Sequence, residues 1–151
     1  MVYNNLMIYT DITKIALQIC FDAHKEQTDK SGLPYVFHPF HLAEQMTSEA
    51  ASVCALLHDV MEDTPITRED LEKAGIPKEC TDVLMLLCHR EDVPYMDYVK
   101  ALAKNKIARE VKIADLRHNS DLSRLSVVDE RALARVEKYK LALNYLLTIG
   151  E

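Results

Sequence analysis

The segment Ala50-Ala-Ser-Val-Cys-Ala-Leu-Leu57 is an apolar run that continues directly into His58-Asp59, and Glu62-Asp63 follows one helical turn later. Its apolar residues recur at the i, i+3, i+4 spacing of a helix face. Polar groups are costly to bury unless they are paired or bound to a metal. Four ionisable groups at the end of a core helix therefore indicate either a metal site or a solvated helix end.

Helical periodicity recurs along the rest of the chain, which has only three glycines and no alternating strand pattern of useful length. Thr67–Asp70 resembles a capping box, and Gly75 is placed to end the short helix that follows. The pattern predicts an all-α fold, a single compact helical bundle that forms one domain over residues 1–151. We expect about eight helices, at 8–27, 39–47, 49–61, 67–74, 77–89, 94–104, 106–119 and 127–148. The segment 28–37 is predicted to be a functional loop.

The composition limits the classes of partner. Hydrophobic residues make up 48% of the chain, which fits a globular protein. No apolar run approaches the ~20 residues of a membrane helix, and no signal peptide is visible after Met1, so we expect a cytoplasmic protein without a membrane partner. A net charge of −6 argues against nucleic acid but allows a small phosphorylated ligand. The sequence leaves a homo-oligomer open.

Two further residues favour the metal interpretation. His38 precedes a proline at the start of a predicted helix, and Asp115 lies on a helical stripe that should face the core. Buried carboxylates without partners are expensive, so a metal held by two imidazoles and two carboxylates would satisfy His38, His58, Asp59 and Asp115 together. Mixed His and Asp ligation favours a divalent Lewis acid, with Mn²⁺ preferred over Fe²⁺, Co²⁺ or Zn²⁺.

Three motifs together resemble the HD superfamily of metal-dependent phosphohydrolases, and within it the stringent-response alarmone hydrolases. They are Gly32-Leu-Pro-Tyr-Val-Phe-His-Pro39, Ala55-Leu-Leu-His-Asp-Val-Met-Glu-Asp-Thr64 and Lys112-Ile-Ala-Asp-Leu-Arg-His-Asn119. The resemblance spans residues 16–146 and implies an HD-domain fold that removes the 3′-pyrophosphate from ppGpp and pppGpp. Because 151 residues leave little room for an added synthetase domain, we expect a stand-alone small hydrolase.

The resemblance also implies a role for each site residue. It makes His38, His58, Asp59 and Asp115 the metal ligands, and Glu62 and Asp63 the catalytic pair. Water would attack the phosphorus joined to the 3′-oxygen, and the two carboxylates would share the proton transfers in an order that the sequence leaves open.

Substrate contacts are expected from one asparagine of the third motif and from four other polar residues. The set is Lys25, Lys30, Asn119, Arg135 and Tyr139. For the lysines and the arginine the alternative is an ordinary surface position, and for the tyrosine it is the core. Four other residues are expected to pack the structure or to lie on its surface, namely Tyr35 in the loop, Tyr95 and Tyr98 in the core, and His89 at an exposed helix end.

Three functions stay open. The first is a pyrophosphohydrolase of guanosine 3′-diphosphate alarmones, the second an HD phosphohydrolase acting on another nucleotide, and the third a non-catalytic nucleotide-binding regulator. The Glu62-Asp63 pair favours the first. Asp29 stands where the family has an arginine that helps to hold guanine, which leaves the second open. A complete set of ligands and carboxylates argues against the third.

Overall fold

Helices account for the secondary structure of the described residues. A computed structural model describes residues 7–149, and over that range it contains nine α-helices, a short 3-10 turn at Leu122–Arg124 and no β-strand. The helices are α1 (Asp11–His24), α2 (Phe37–Glu44), α3 (Glu49–Leu57), α4 (Val60–Asp63), α5 (Arg68–Lys73), α6 (Lys78–Leu87), α7 (Tyr95–Leu102), α8 (Lys106–Asn119) and α9 (Glu130–Ile149). The all-α prediction is confirmed. The ends of the predicted domain, residues 1–6 and 150–151, lie outside the described residues, as does the N-terminal start inspected for a signal peptide.

Helix α3 lies at the centre of the bundle. Every side chain from Ala51 to Leu57 is buried, and the helix packs against α1, α2, α6 and α8. A helix that is covered on all sides needs no polar face, which explains why this run of sequence is apolar throughout. Its first turn is capped by Ser48, whose side chain accepts a hydrogen bond from the Ala51 N–H at 3.2 Å.

The structure divides the helix predicted at 49–61 into two. The ring of His58 donates from Nδ1 to the Ala55 carbonyl at 2.7 Å. In a continuous helix that carbonyl would accept from the N–H of Asp59. A side chain that competes for a backbone acceptor interrupts the helix, so α3 ends at Leu57 and α4 begins at Val60.

The predicted helix starts near residues 67, 77 and 94 are confirmed by their capping geometry, whereas the helix predicted to end at residue 89 ends at Leu87. Thr67 and Asp70 form the reciprocal capping box of α5. Gly75 has a φ of +106°, the left-handed conformation that commonly ends a helix. Pro77 and Pro94 are the N-cap residues of α6 and α7, where the missing proline N–H costs nothing.

The loop between α1 and α2 is a tight hairpin. Thr28 and Pro34 form an isolated antiparallel bridge, and the Asp29 N–H donates to the Leu33 carbonyl at 2.8 Å. The side chain of Asp29 closes the same turn, because its Oδ1 accepts from the N–H groups of Ser31 and Leu33 at 2.8 and 3.0 Å. Asp29 therefore shapes the loop, which gives its presence a structural reason.

Helix α8 places Asp115, a predicted site residue, in the core. Asn105 caps it by accepting from the Ala108 N–H at 3.0 Å, and the helix then runs between α3 and α9. None of the described helices is long and apolar enough to cross a membrane.

Leu84→Ala should lower the free energy of unfolding by about 2–5 kcal/mol, because it leaves a cavity in a fully packed core. Leu84 has no exposed surface and belongs to α6, which packs against α3 and α8. Leu141→Ala is the matched control, since 66% of that leucine is exposed, and its effect should stay within about 0.5 kcal/mol. Urea titrations followed by circular dichroism measure both, and equal losses would contradict this packing.

Candidate active site

Three residues that are far apart in the sequence converge in the core. His38 of α2, His58 after α3 and Asp115 of α8 are all buried, and each offers one ligand atom within 4.8 Å of the others. Asp115 Oδ1 lies 3.0 Å from His38 Nε2 and 3.6 Å from His58 Nε2. Two imidazole nitrogens and a carboxylate oxygen form a donor set that suits a divalent metal.

His58 presents an unused ligand atom to this cluster. Its Nδ1 must carry the proton, because the Ala55 carbonyl that it contacts can only accept. Its Nε2 is buried and makes no hydrogen bond of adequate geometry, although Asp59 Oδ2 lies 3.0 Å away. Burial alone would lower the pKa of His58, but Asp59 and Asp115 raise that pKa well above its ordinary value. A divalent cation would satisfy the same nitrogen, so the residues present fit a metal.

Asp115 is a buried carboxylate with a full set of partners. Lys112 Nζ lies 2.9 Å from its Oδ2, and the Asn119 side-chain amide donates to its Oδ1 at 2.8 Å. Burial would raise the pKa of Asp115, but Lys112 and the two histidines hold that pKa well below its usual range. The group is therefore ionised, as a metal ligand must be.

Two outer contacts orient the other candidate ligands. Nδ1 of His38 lies 2.7 Å from Nδ1 of His118. Burial, followed by the positive charge of Arg124, lowers the pKa of His118 to about 3, so its ring stays neutral. The Tyr35 hydroxyl donates to Oδ2 of Asp59. Such outer partners fix the direction in which a ligand presents its lone pair.

Glu62 and Asp63 line the same cavity as His58, Asp59 and Asp115. Oε1 of Glu62 accepts from the backbone N–H of His89 at 2.8 Å, which fixes its position. Partial burial of the Asp63 carboxyl, together with the charges of Asp59 and Glu62, raises its pKa to about 6. A carboxyl group with a pKa near neutrality can exchange a proton during turnover.

A second cavity adjoins the first. We call the cavity with Glu62 and Asp63 the carboxylate cavity and its neighbour the cationic cavity, because Lys30, Arg124 and Arg135 line the latter and outnumber its two carboxylates. Those carboxylates, Asp29 and Asp121, accept hydrogen bonds from backbone N–H groups. Their volumes are about 270 and 300 Å³. Asn119 and Tyr139 line both, so the two cavities meet at these side chains.

The structure thus brings together four of the five expected substrate contacts. Lys30, Asn119, Arg135 and Tyr139 all line the cationic cavity. Lys25 is exposed just after α1 and lines neither of the two cavities, so its role stays a prediction.

Several cavity residues were not predicted from the sequence. Tyr35 reaches Asp59 instead of only packing the loop. The carboxylate cavity is also lined by three residues expected to be core or surface, together with a lysine of α9, namely Tyr95, Tyr98, His89 and Lys138. In a sequence, tyrosines at helical spacing resemble core residues, and a single lysine resembles a surface residue. The one signal for Lys138 was its position next to Tyr139.

Comparisons with known proteins confirm the resemblance. No family model matches the chain. It is 35% identical over 94 residues to the bifunctional (p)ppGpp synthase/hydrolase SpoT of Escherichia coli. The aligned region is 60% of this chain and 13% of that protein. It is 47% identical over 88 residues to the guanosine-3′,5′-bis(diphosphate) 3′-pyrophosphohydrolase of Vibrio cholerae, covering 56% of this chain and 12% of that protein.

Two further comparisons cover more of the chain. A probable guanosine-3′,5′-bis(diphosphate) 3′-pyrophosphohydrolase of Synechocystis is 30% identical over 138 residues, which is 82% of this chain and 18% of that protein. A solved structure described as a metazoan ortholog of SpoT that hydrolyzes ppGpp has the same fold, with a TM-score of 0.73 and 22% identity over 93% of this chain and 88% of that one. The chain spans less than a fifth of the length of these curated relatives.

The metal-free protein should bind one divalent cation at the buried cluster. At a free concentration one hundred times the dissociation constant, binding should stabilise the fold by about 2.7 kcal/mol. His58→Ala should weaken the affinity by more than about a hundredfold, since even an outer partner of a ligand contributes up to that factor. Isothermal titration calorimetry and thermal unfolding measure the two effects.

His89→Ala is the control for this experiment. His89 lines the same cavity, but its Nε2 is hydrogen-bonded to the Val93 carbonyl at 2.7 Å and it lies outside the cluster. Cation binding that survives in His58→Ala and is lost in His89→Ala would place the metal elsewhere.

Proposed function

We propose that this protein is a metal-dependent phosphohydrolase that releases pyrophosphate from guanosine 3′,5′-bis(diphosphate) and its 5′-triphosphate analogue. One observation carries the proposal, namely that the buried cluster of His38, His58 and Asp115 shares a cavity with Glu62 and Asp63. The names of the curated relatives support the choice of substrate. The second cavity, lined by cationic side chains, supports an anionic nucleotide as the ligand.

In this proposal His38, His58, Asp59 and Asp115 hold the metal. Asp59 completes the set because its carboxylate lies beside His58 Nε2 and is oriented by the Tyr35 hydroxyl. A cation held there would supply Lewis acidity and lower the pKa of bound water. Mixed imidazole and carboxylate ligation favours Mn²⁺.

The carboxylates move the protons of the reaction. The oxygen of a water molecule bonds to the phosphorus that carries the 3′-oxygen, the bond from phosphorus to that oxygen breaks, and pyrophosphate leaves. One proton leaves the water, and one arrives at the 3′-oxygen to form a hydroxyl group. The raised pKa of Asp63 suits it to donate the second proton. Glu62, anchored to the His89 N–H, is placed to orient the water.

The nucleotide occupies the cationic cavity and extends its 3′-substituent into the carboxylate cavity. Asn119 and Tyr139 stand where the cavities meet, which suits contact with the sugar. Lys30 and Arg135 are the cations that meet the remaining phosphates there. Lys25 would reach only phosphates that extend out of the cavity, because it is exposed.

Purified protein supplied with Mn²⁺ should convert ppGpp to GDP and pyrophosphate. A nucleotide panel with chromatographic detection of products separates the candidate functions. Orthophosphate from a monophosphate, with no pyrophosphate from ppGpp, would replace this function with that of another HD phosphohydrolase. Nucleotide binding without any product would instead identify a regulator.

Glu62→Gln and Asp63→Asn should each lower kcat by about 10²–10⁴, because each removes a proton-transfer group at nearly constant shape. Neither is proposed as a metal ligand, so calorimetry should find the cation affinity changed by less than about the tenfold that marks the loss of an outer partner. Asp97→Asn is the control, because Asp97 is an exposed carboxylate of α7 outside both cavities. Unchanged kcat in both cavity variants would reject their role.

Removal of the cation with a chelator should abolish turnover, and Mn²⁺ should restore it more fully than Mg²⁺. Mn²⁺ tolerates both imidazole and carboxylate ligands, whereas Mg²⁺ prefers oxygen alone. The measurement is pyrophosphate release after dialysis and addition of one equivalent of each ion. Full activity in the chelated protein, verified metal-free by elemental analysis, would exclude a metal-dependent reaction.

A further inference from the structure

The carboxylate cavity is unfavourable for an anion on charge alone. It is lined by four carboxylates, those of Asp59, Glu62, Asp63 and Asp115, and by only two ammonium groups. A pyrophosphate group carries several negative charges, so its departure through this cavity requires cations beyond those that neutralise the carboxylates. Besides the proposed divalent cation, the two lysines of the cavity are the candidates for that task.

Lys112 already forms an ion pair with Asp115. Its Nζ lies 2.9 Å from Oδ2 of Asp115, and both side chains are largely buried. Breaking a buried ion pair leaves an uncompensated charge and is strongly unfavourable. Lys112 therefore keeps Asp115 ionised and is not free to follow a leaving group.

Lys138 is placed differently. It lies on α9, and among residues 7–149 no carboxylate is within 4.0 Å of its Nζ. The ammonium instead lies over two aromatic rings, 4.6 Å from the centre of Tyr95 and 5.4 Å from that of Tyr139. A cation–π contact holds a cation in position without cancelling its charge.

A polar atom without a partner lies in the same part of the cavity. The hydroxyl of Tyr95 is buried and makes no hydrogen bond of adequate geometry within the described residues, although the Lys112 ammonium lies near enough to act on its pKa. Buried hydroxyl groups without a partner are rare and call for an explanation. Tyr95 thus combines a ring that supports Lys138 with a donor that an anion in the cavity could engage.

We propose that Lys138, held over Tyr95 and Tyr139, binds the terminal phosphate of the pyrophosphate group and selects a diphosphate over a single phosphate at the reacting position. This subsite rests on the proposed function, since it uses the same cavity. Tyr139 lines both cavities and is the neighbour of Lys138 on α9. In this proposal a nucleotide at Tyr139 directs its 3′-substituent into the carboxylate cavity, where the Lys138 ammonium binds the terminal phosphate.

Lys138→Met removes the charge and keeps the length of the side chain. On the full-length protein loaded with one equivalent of Mn²⁺, it should weaken the binding of inorganic pyrophosphate about tenfold, the value of one partly exposed charge-assisted hydrogen bond. Orthophosphate affinity should change by less than about twofold, within the range of ordinary surface substitutions. Isothermal titration calorimetry measures both ligands, and circular dichroism verifies the fold.

Two variants make the test specific. Lys138→Arg keeps the charge and should retain pyrophosphate binding, whereas Lys140→Met removes a charge from an exposed position of α9 outside both cavities and should change nothing. Unchanged pyrophosphate affinity in Lys138→Met overturns the proposal. Equal weakening of pyrophosphate and orthophosphate overturns the selection of a diphosphate.

Turnover separates this proposal from the function on which it rests. With ppGpp as substrate, Lys138→Met should lower kcat/KM about tenfold, which corresponds to one such contact. If wild-type protein hydrolyses ppGpp and Lys138→Met binds pyrophosphate normally, the subsite is wrong and the function stands. If no ppGpp is hydrolysed but pyrophosphate binding still depends on Lys138, the function is wrong and the subsite stands.

Discussion

The ionised carboxylate of Asp115 is the constraint on which the rest of the structure depends. An isolated charge at that depth would be prohibitively costly, and three contacts compensate it, from Lys112, Asn119 and His38. Two of these partners lie on α8 with Asp115, one turn before and one turn after it. The third requires α2 to pack beside α8. The charge therefore dictates both the sequence of one helix and the position of another.

The core and the site are coupled through the break after α3. The helix must be apolar on every side to occupy the centre of the bundle, yet it has to deliver a histidine to Asp115. The bond from the His58 ring to the Ala55 carbonyl achieves both. It directs Nε2 inward and ends the helix, so that the chain turns and α4 carries Glu62 and Asp63 along the cavity.

Much of this could be predicted from the sequence, because helical periodicity and capping residues are local signals. The fold class, the capping box at Thr67 and the convergence of His38, His58 and Asp115 all followed from such signals or from the motif resemblance. The break at His58 did not, since a side chain competing for a backbone carbonyl leaves the apolar spacing unchanged. Lys138 was missed for another reason. Its partners are aromatic rings from α7 and α9, and that neighbourhood exists only once the helices are packed.

The two cavities differ in charge, and this difference determines in which of them an anionic group is bound. The cationic cavity attracts phosphates, whereas the carboxylate cavity repels them unless a bound cation offsets its charge. A ligand that enters before the metal would be held on the cationic side, and its reacting group would stay out of reach of Glu62 and Asp63. In the proposed function, charge therefore makes metal occupancy a condition for productive binding as well as for chemistry. In the same proposal, the uncharged side chains of Asn119 and Tyr139 line the junction through which the ligand passes between the two cavities.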